Sequence, residues 1–122
     1  MGDSQAPWEP TIAVDFDGVL HSYRGWTGPE PKGEPIPGSL EAIRELSKDF
    51  KVVVFTSRDP TYTRAWLARH GFPALEVTNY KPAALVIVDD RAVTFTGRWS
   101  RAFTEKVKSF RAYWDWTKES VL

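Results

Sequence analysis

The chain reads as short apolar runs alternating with amphipathic stretches. Thr11-Ile-Ala-Val-Asp15 is brief and β-branched like a buried strand, and Gly18, followed by the Gly- and Pro-rich stretch from His21 to Pro37, marks its passage into a loop. From Pro37 onward Leu40, Ile43, Leu46 and Phe50 fall at helical spacing, with charges on the other face and Pro37 suited to a first turn. Lys51 to Thr56 repeats the buried-strand pattern. Asp59-Pro60 then supplies an N-cap and a first-turn proline for a helix that runs to His70 and stops at Gly71, with Tyr62, Ala65, Trp66 and Arg69 on one face. Leu75 to Thr78 predicts a short third strand, and Ala84 to Asp89 a fourth with the nearly continuous apolar body of a strand buried on both faces. Val93 to Thr96 is a candidate edge strand. A last helix, roughly Trp99 to Lys118, carries Phe103, Val107, Phe110 and Trp114 as a stripe whose spacing favours core packing over a base-stacking platform.

Strands alternating with helices predict an α/β fold: one doubly wound, three-layer domain with a parallel sheet and right-handed crossovers. Residues 1–10 read as a flexible arm and residues 11–122 as that domain, a length at which about two thirds of the unfolded surface becomes buried. No repeat or low-complexity segment interrupts it.

Composition narrows the function classes. Sixteen basic and sixteen acidic residues give a formal net charge of zero, so no bulk field holds the chain on nucleic acid or an anionic membrane. Cysteine is absent, which removes disulfides, thiolate metal sites and thiol catalysis. The first residues show no basic segment leading into an apolar one, and Ala6 stands where a myristoylation signal has Ser or Thr. A cytoplasmic protein with no membrane partner is the resulting expectation.

Parallel sheets bind ligands beyond the carboxyl ends of their strands, and the polar residues collect there. Asp15 and Asp17 end the first strand, Thr56 the second, Lys81 follows the third, and Asp89 with Asp90 ends the fourth. Singly, each has an ordinary reading as turn, helix cap or solvated loop residue. Together they bring four carboxylates around one crevice, and like charges at close range destabilise each other by on the order of 4 kcal/mol per pair at intermediate dielectric. One lysine does not offset that. An all-oxygen donor set with room for water suits Mg²⁺, whereas zinc has no Cys and only two His to bind. With a phosphate ester present, Asp15 is the nucleophile candidate, Asp17 the acid/base candidate, and Thr56 and Lys81 the donors opposite the metal.

In this order the segments IAVDFDGVL, VVVFTSR, TNYKPA and LVIVDD resemble the four motifs of the haloacid-dehalogenase superfamily of phosphohydrolases, from Thr11 to about Thr96. The resemblance implies a Rossmann-like domain acting through an aspartyl-phosphate on Asp15, with acid/base chemistry from Asp17 and phosphate contacts from Thr56 and Lys81. It implies Mg²⁺ held by Asp15, Asp89 and the Asp17 carbonyl, with Asp90 as a further candidate ligand. Val19 stands where many members have Thr, and the usual insertion sites, His21 to Pro37 and Gly71 to Ala84, are too short for a folded lid. An open site suits a large or exposed phosphate such as a nucleotide or a nucleic-acid 3′ end. Ser57, Arg58 and Arg91 stand as substrate-binding candidates, with surface ion pairing as the other reading of the arginines. Tyr23 and Trp26 lie in the loop that flanks the site, where a nucleobase would stack if they are not buried. From other classes, a phosphoacceptor regulatory module without turnover uses the same acids, and a sugar-nucleotide transferase uses Asp-x-Asp for its metal.

Overall fold

The structure, a computed structural model, describes residues 9–115; most of the expected arm and the expected helix end at Lys118 lie outside the described residues. Strands β1 (Thr11–Val14), β2 (Lys51–Phe55), β3 (Glu76–Thr78) and β4 (Val86–Val88) alternate with helices α1 (Ser39–Leu46), α2 (Pro60–Arg69) and α3 (Arg101–Lys108), except that β3 and β4 follow one another directly. The strands form one parallel sheet in the order β3-β2-β1-β4, with Val14 opposite both Val54 and Val88. This is an α/β, Rossmann-like domain, as the alternation predicts.

β1 is central and every one of its residues is buried, which is why its text is apolar without alternation. Ile12, Val14 and Phe16 pack with Val52, Val54 and Val77 into one core, closed by Ile43 of α1, Trp66 and Leu67 of α2, and Phe72. Leu40, Leu46 and Phe50 fit against that core as the helical spacing predicts. α1 begins at Ser39 and not at Pro37, because Gly38 takes a left-handed φ of 87° that breaks the turn between them.

Trp66 is the centre of the core. Fully buried, it meets Phe16 edge-on at 5.0 Å and His21 at 5.4 Å, and its indole N–H donates to the Gly33 carbonyl at 2.9 Å. The loop between β1 and α1 is thereby fastened to α2. Further bonds from Ser22 N–H to Glu34 O (2.9 Å) and from Ile36 N–H to Leu20 O (2.8 Å) close its base. A bonded wall results.

Four expectations change. The buried face of α2 is Thr63, Trp66 and Leu67, and Tyr62 is exposed: Trp66 turns inward to Phe16 and to the Gly33 carbonyl, and the buried Thr63 hydroxyl is satisfied within the helix by donating to Asp59 O at 3.1 Å. Val93 to Thr96 forms no strand, so β4 is an edge, with Val86 and Val88 about half exposed despite their apolar run. Phe95 instead joins Trp99 and Phe103 in a separate aromatic cluster with ring spacings of 5.1 to 5.3 Å. Finally, α3 stops at Lys108, buries no residue, and approaches no other described element within 8 Å between Cα atoms. The stripe from Phe103 to Trp114 does not enter the core, because the chain leaves the helix and carries Trp114 to the site described below. No described helix is long and apolar enough to cross a membrane.

Replacing Trp66 removes a filled volume and a hydrogen bond together. We expect Trp66→Ala to lower stability by about 3–5 kcal/mol and Trp66→Phe by less, measured as the shift in urea unfolding midpoint at constant slope.

Candidate functional site

The chain steps outward from β1 to β2 and β3, then returns to place β4 on the other side of β1. Strand order therefore reverses between β1 and β4, where an open parallel sheet leaves a crevice at its carboxyl edge. Register does the rest. Val14 pairs with Val88, so Asp15 emerges beside Asp89, and its N–H donates to Val88 O at 2.9 Å. One carboxylate oxygen each from Asp15, Asp89 and Asp90 lie within 4.8 Å of one another.

Each acid is held by local structure. Phe16 N–H donates to Asp15 Oδ1 at 2.8 Å, and Arg91 N–H donates to Asp89 Oδ1 at 2.7 Å. Asp90 Oδ2 accepts from the Trp114 indole N–H, while Asp90 Oδ1 is buried with no hydrogen-bond partner. Gly18 makes the approach possible: with φ +82°, any Cβ there would sit 2.8 Å from Asp90 Cγ and 2.9 Å from Trp114 Nε1. The Tyr113 hydroxyl closes the same corner by donating to Gly18 O at 2.6 Å.

Three mutually repelling acids with an orphaned oxygen are a poor arrangement for anions alone and a suitable one for a hard cation. Burial first, then the neighbouring Asp90 carboxyl and the charges of Asp89 and Asp90, push Asp15 from 3.8 up to about 8, against the opposing effect of the Phe16 N–H. Burial and carboxylate charge also raise the Tyr23 and Tyr113 phenols, so both remain O–H donors at neutral pH.

Asp17 faces differently. Arg58 Nε–H donates to both of its oxygens, at 2.9 and 2.8 Å, and His21 Nδ1 lies 2.8 Å from Oδ1. His21 Nε2 accepts from Gly33 N–H at 2.8 Å, which places the ring proton on Nδ1, directed at Asp17. Arg58 is itself buried, and its Nη1 donates to the Gly28 and Pro29 carbonyls at 3.1 and 2.9 Å. One guanidinium thus joins the Asp17 carboxylate to the wall loop.

Thr56 is buried at the end of β2, and its Oγ1 accepts from Arg58 N–H at 3.1 Å, which leaves the hydroxyl proton for an anion. The turn is clamped by Asn79, whose side-chain amide donates to Thr56 O at 2.6 Å and to Arg58 O at 2.8 Å.

Asp15, Asp17, Thr56, Ser57, Asp90 and Arg91 line one cavity of about 140 Å³, framed by Tyr23, Trp26 and Trp114. Asp89 is exposed at its margin and reaches the site through the acid cluster. Asp17's carboxylate stands outside that cluster, turned to Arg58 and His21. Two further candidates are placed elsewhere. Lys81 is exposed and does not line the cavity, since it follows β3, which β2 separates from β1; Arg58 is engaged by Asp17 and the loop. The cation on the cavity wall is Arg91, whose Cζ lies 5.7 Å from the Trp114 ring centre. Sequence reading missed Trp114, assigned to a helix stripe, and Asn79, although the latter sits inside the TNYKPA segment; Tyr113 carried no signal.

No protein-family model matches the chain, and no curated protein does. Among solved structures it is similar to a conserved protein from Bacteroides thetaiotaomicron, at 24% identity and a TM-score of 0.55, over 86% of this chain and 94% of that one. That likeness shows the fold. Fold and site together define a Rossmann-like α/β domain with an acidic cluster at its strand-order reversal, its three carboxylate oxygens close enough together that they could hold a metal ion.

The raised Asp15 sets a pH dependence for the metal-free protein. Between about pH 4 and pH 8 the folded state keeps a proton that the unfolded chain has released, so stability falls as pH rises through that window. In EDTA, the melting temperature of wild type is expected to drop relative to Asp15→Asn from pH 5 to pH 8, and a millimolar divalent cation is expected to restore it at pH 8. Differential scanning calorimetry reads both.

Proposed function

We propose that the protein is a Mg²⁺-dependent phosphomonoester hydrolase that works through an aspartyl-phosphate on Asp15, the chemistry of the haloacid-dehalogenase superfamily that its four motifs resemble. The observation that carries this reading is the convergence of Asp15, Asp89 and Asp90 within 4.8 Å, beside the buried hydroxyl of Thr56. The three carboxylates would hold the metal, which supplies neutralisation of their charge and of the phosphate dianion when bound. The orphaned Asp90 Oδ1 supports that fit.

The remaining steps belong to side chains. An Asp15 carboxylate oxygen attacks phosphorus as the ester P–O bond breaks, and the leaving oxygen takes a proton from Asp17. Water then attacks the phosphorus of the acyl phosphate and gives a proton to Asp17, which releases inorganic phosphate and restores Asp15. Thr56 donates its hydroxyl proton to a phosphate oxygen, and Arg91 adds positive charge from the wall. At about 140 Å³ the cavity is smaller than the roughly 300–1,000 Å³ that holds a whole small ligand, so it admits the phosphate and leaves the alcohol outside.

Arg58 and His21 donate to the oxygens of Asp17 that would carry the proton. The acid half of the cycle works against those bonds, and the base half does not. Esters of acidic alcohols should therefore react faster: we expect kcat for an aryl phosphate to exceed that for an alkyl phosphate by at least about tenfold, a difference of about 1.4 kcal/mol in barrier. Comparable kcat values for the two would show Asp17 to be an effective acid despite its partners.

The main test is release of inorganic phosphate from an aryl phosphate with and without Mg²⁺. Chelation is expected to abolish it, and Asp15→Asn to lower it by at least about 10³-fold. Full turnover by that variant would remove Asp15 as nucleophile. A stable acyl phosphate with a single turnover would assign the site to a phosphoacceptor module.

A further inference from the structure

Trp26 is an exposed aromatic side chain on the wall of the cavity. It is 61% exposed, yet it is not loose: the Arg58 guanidinium carbon lies 4.6 Å from its ring centre, and that guanidinium is fixed by Asp17 and by the Gly28 and Pro29 carbonyls. One face of the indole is thus held by a buried cation while the side chain stays open to solvent. An isolated exposed Trp has no such restraint.

Trp26 also stands between two spaces. With Tyr23 it lines both the phosphate-sized cavity and an adjoining groove of about 400 Å³ formed by residues 21–27 and Gly33. The groove lies within the size range of small-ligand sites, and the cavity lies below it. Because the two spaces share Tyr23 and Trp26, the alcohol of a phosphate ester seated in the cavity would meet Trp26 on its way to the groove.

The groove's lining selects among alcohols. A sugar ring is most often gripped by carboxylate and amide side chains, and the lining has none, its side-chain hydroxyls being those of Ser22, Tyr23 and Thr27. An aromatic ring attached directly to phosphorus through oxygen would occupy the cavity mouth and leave the groove unfilled. A nucleoside fills both, its sugar spanning the mouth and its base lying flat on a pre-positioned indole. No carboxylate in the groove opposes an anionic ligand, and Arg24 adds positive charge there.

We propose that Trp26 is a base-stacking platform and that the site takes nucleoside monophosphates, with Arg58 as the residue that positions the platform. The inference rests on the phosphatase reading for turnover, but binding tests it separately. Wild type is expected to prefer a nucleoside monophosphate to glycerol 3-phosphate in kcat/KM. Trp26→Ala is expected to lower that preference by about tenfold, mainly through KM, as loss of one base stack does, while Trp26→Phe keeps most of it. Equal selectivity in wild type and Trp26→Ala would overturn the proposal, as would a sugar phosphate preferred with the same dependence on Trp26.

If no ester is hydrolysed, the proposal is decided by titration of Asp15→Asn with adenosine 5′-monophosphate, followed by indole N–H NMR. A shift of one indole signal that is missing in Asp15→Asn/Trp26→Ala, with weaker binding by that variant, sustains the platform without the hydrolase. Absence of binding overturns it. Matched variants that unfold are replaced by Trp26→Phe and Trp26→His, whose rings differ in area while each keeps a flat face.

Discussion

Mutual repulsion among three carboxylates is the constraint around which this domain is organised. Parallel pairing of β1 with β4 forces Asp15 and Asp89 to leave the sheet side by side, and the following residue brings Asp90 into the same corner. Charges this close oppose each other by on the order of 4 kcal/mol per pair at intermediate dielectric. The fold relieves part of that with fixed donors: Phe16 N–H on Asp15, Arg91 N–H on Asp89 and the Trp114 indole on Asp90. The remainder falls to a proton or a cation; burial, with the neighbouring carboxylates adding to it, pushes the Asp15 carboxyl up so that it favours the proton in the protein alone.

Arg58 has the corresponding role for the wall. Its Nε–H orients Asp17, its Nη1 fixes two carbonyls of the loop, and its Cζ lies over the Trp26 ring. His21 ties the same carboxylate to Gly33, and Trp66 ties Gly33 to α2. Gly33 has no alternative residue there, since a Cβ would stand 2.6 Å from Ser22 O. A stretch rich in Gly and Pro, read as a loop, is thus fastened to the rest of the domain through its base, Gly28, Pro29 and Gly33.

The periphery follows weaker rules. β4 is apolar and yet half exposed, and the one aromatic residue of α3, Phe103, sets its ring against those of Phe95 and Trp99. An apolar run reports that burial is favourable but not which surface supplies it. Here local clustering competes with docking on the sheet, and the short α3 stays apart from the other described elements.

What the sequence determined by itself is the order of elements and the residues at the strand ends. β-branched runs, helical spacing and the Asp59-Pro60 cap are local signals, and parallel topology follows from alternation, so Asp15, Thr56, Asp89 and Asp90 were legible as one rim. The phase of α2, the departure of Trp114 from its helix, the engagement of Arg58 with Asp17 and the outlying position of Lys81 were decided only in three dimensions. Each depends on contacts between residues far apart in the chain, such as Trp114 with Asp90 or Asn79 with Thr56. Spacing within a segment fixes which side chains share a face. It carries no information about the partner that face will meet.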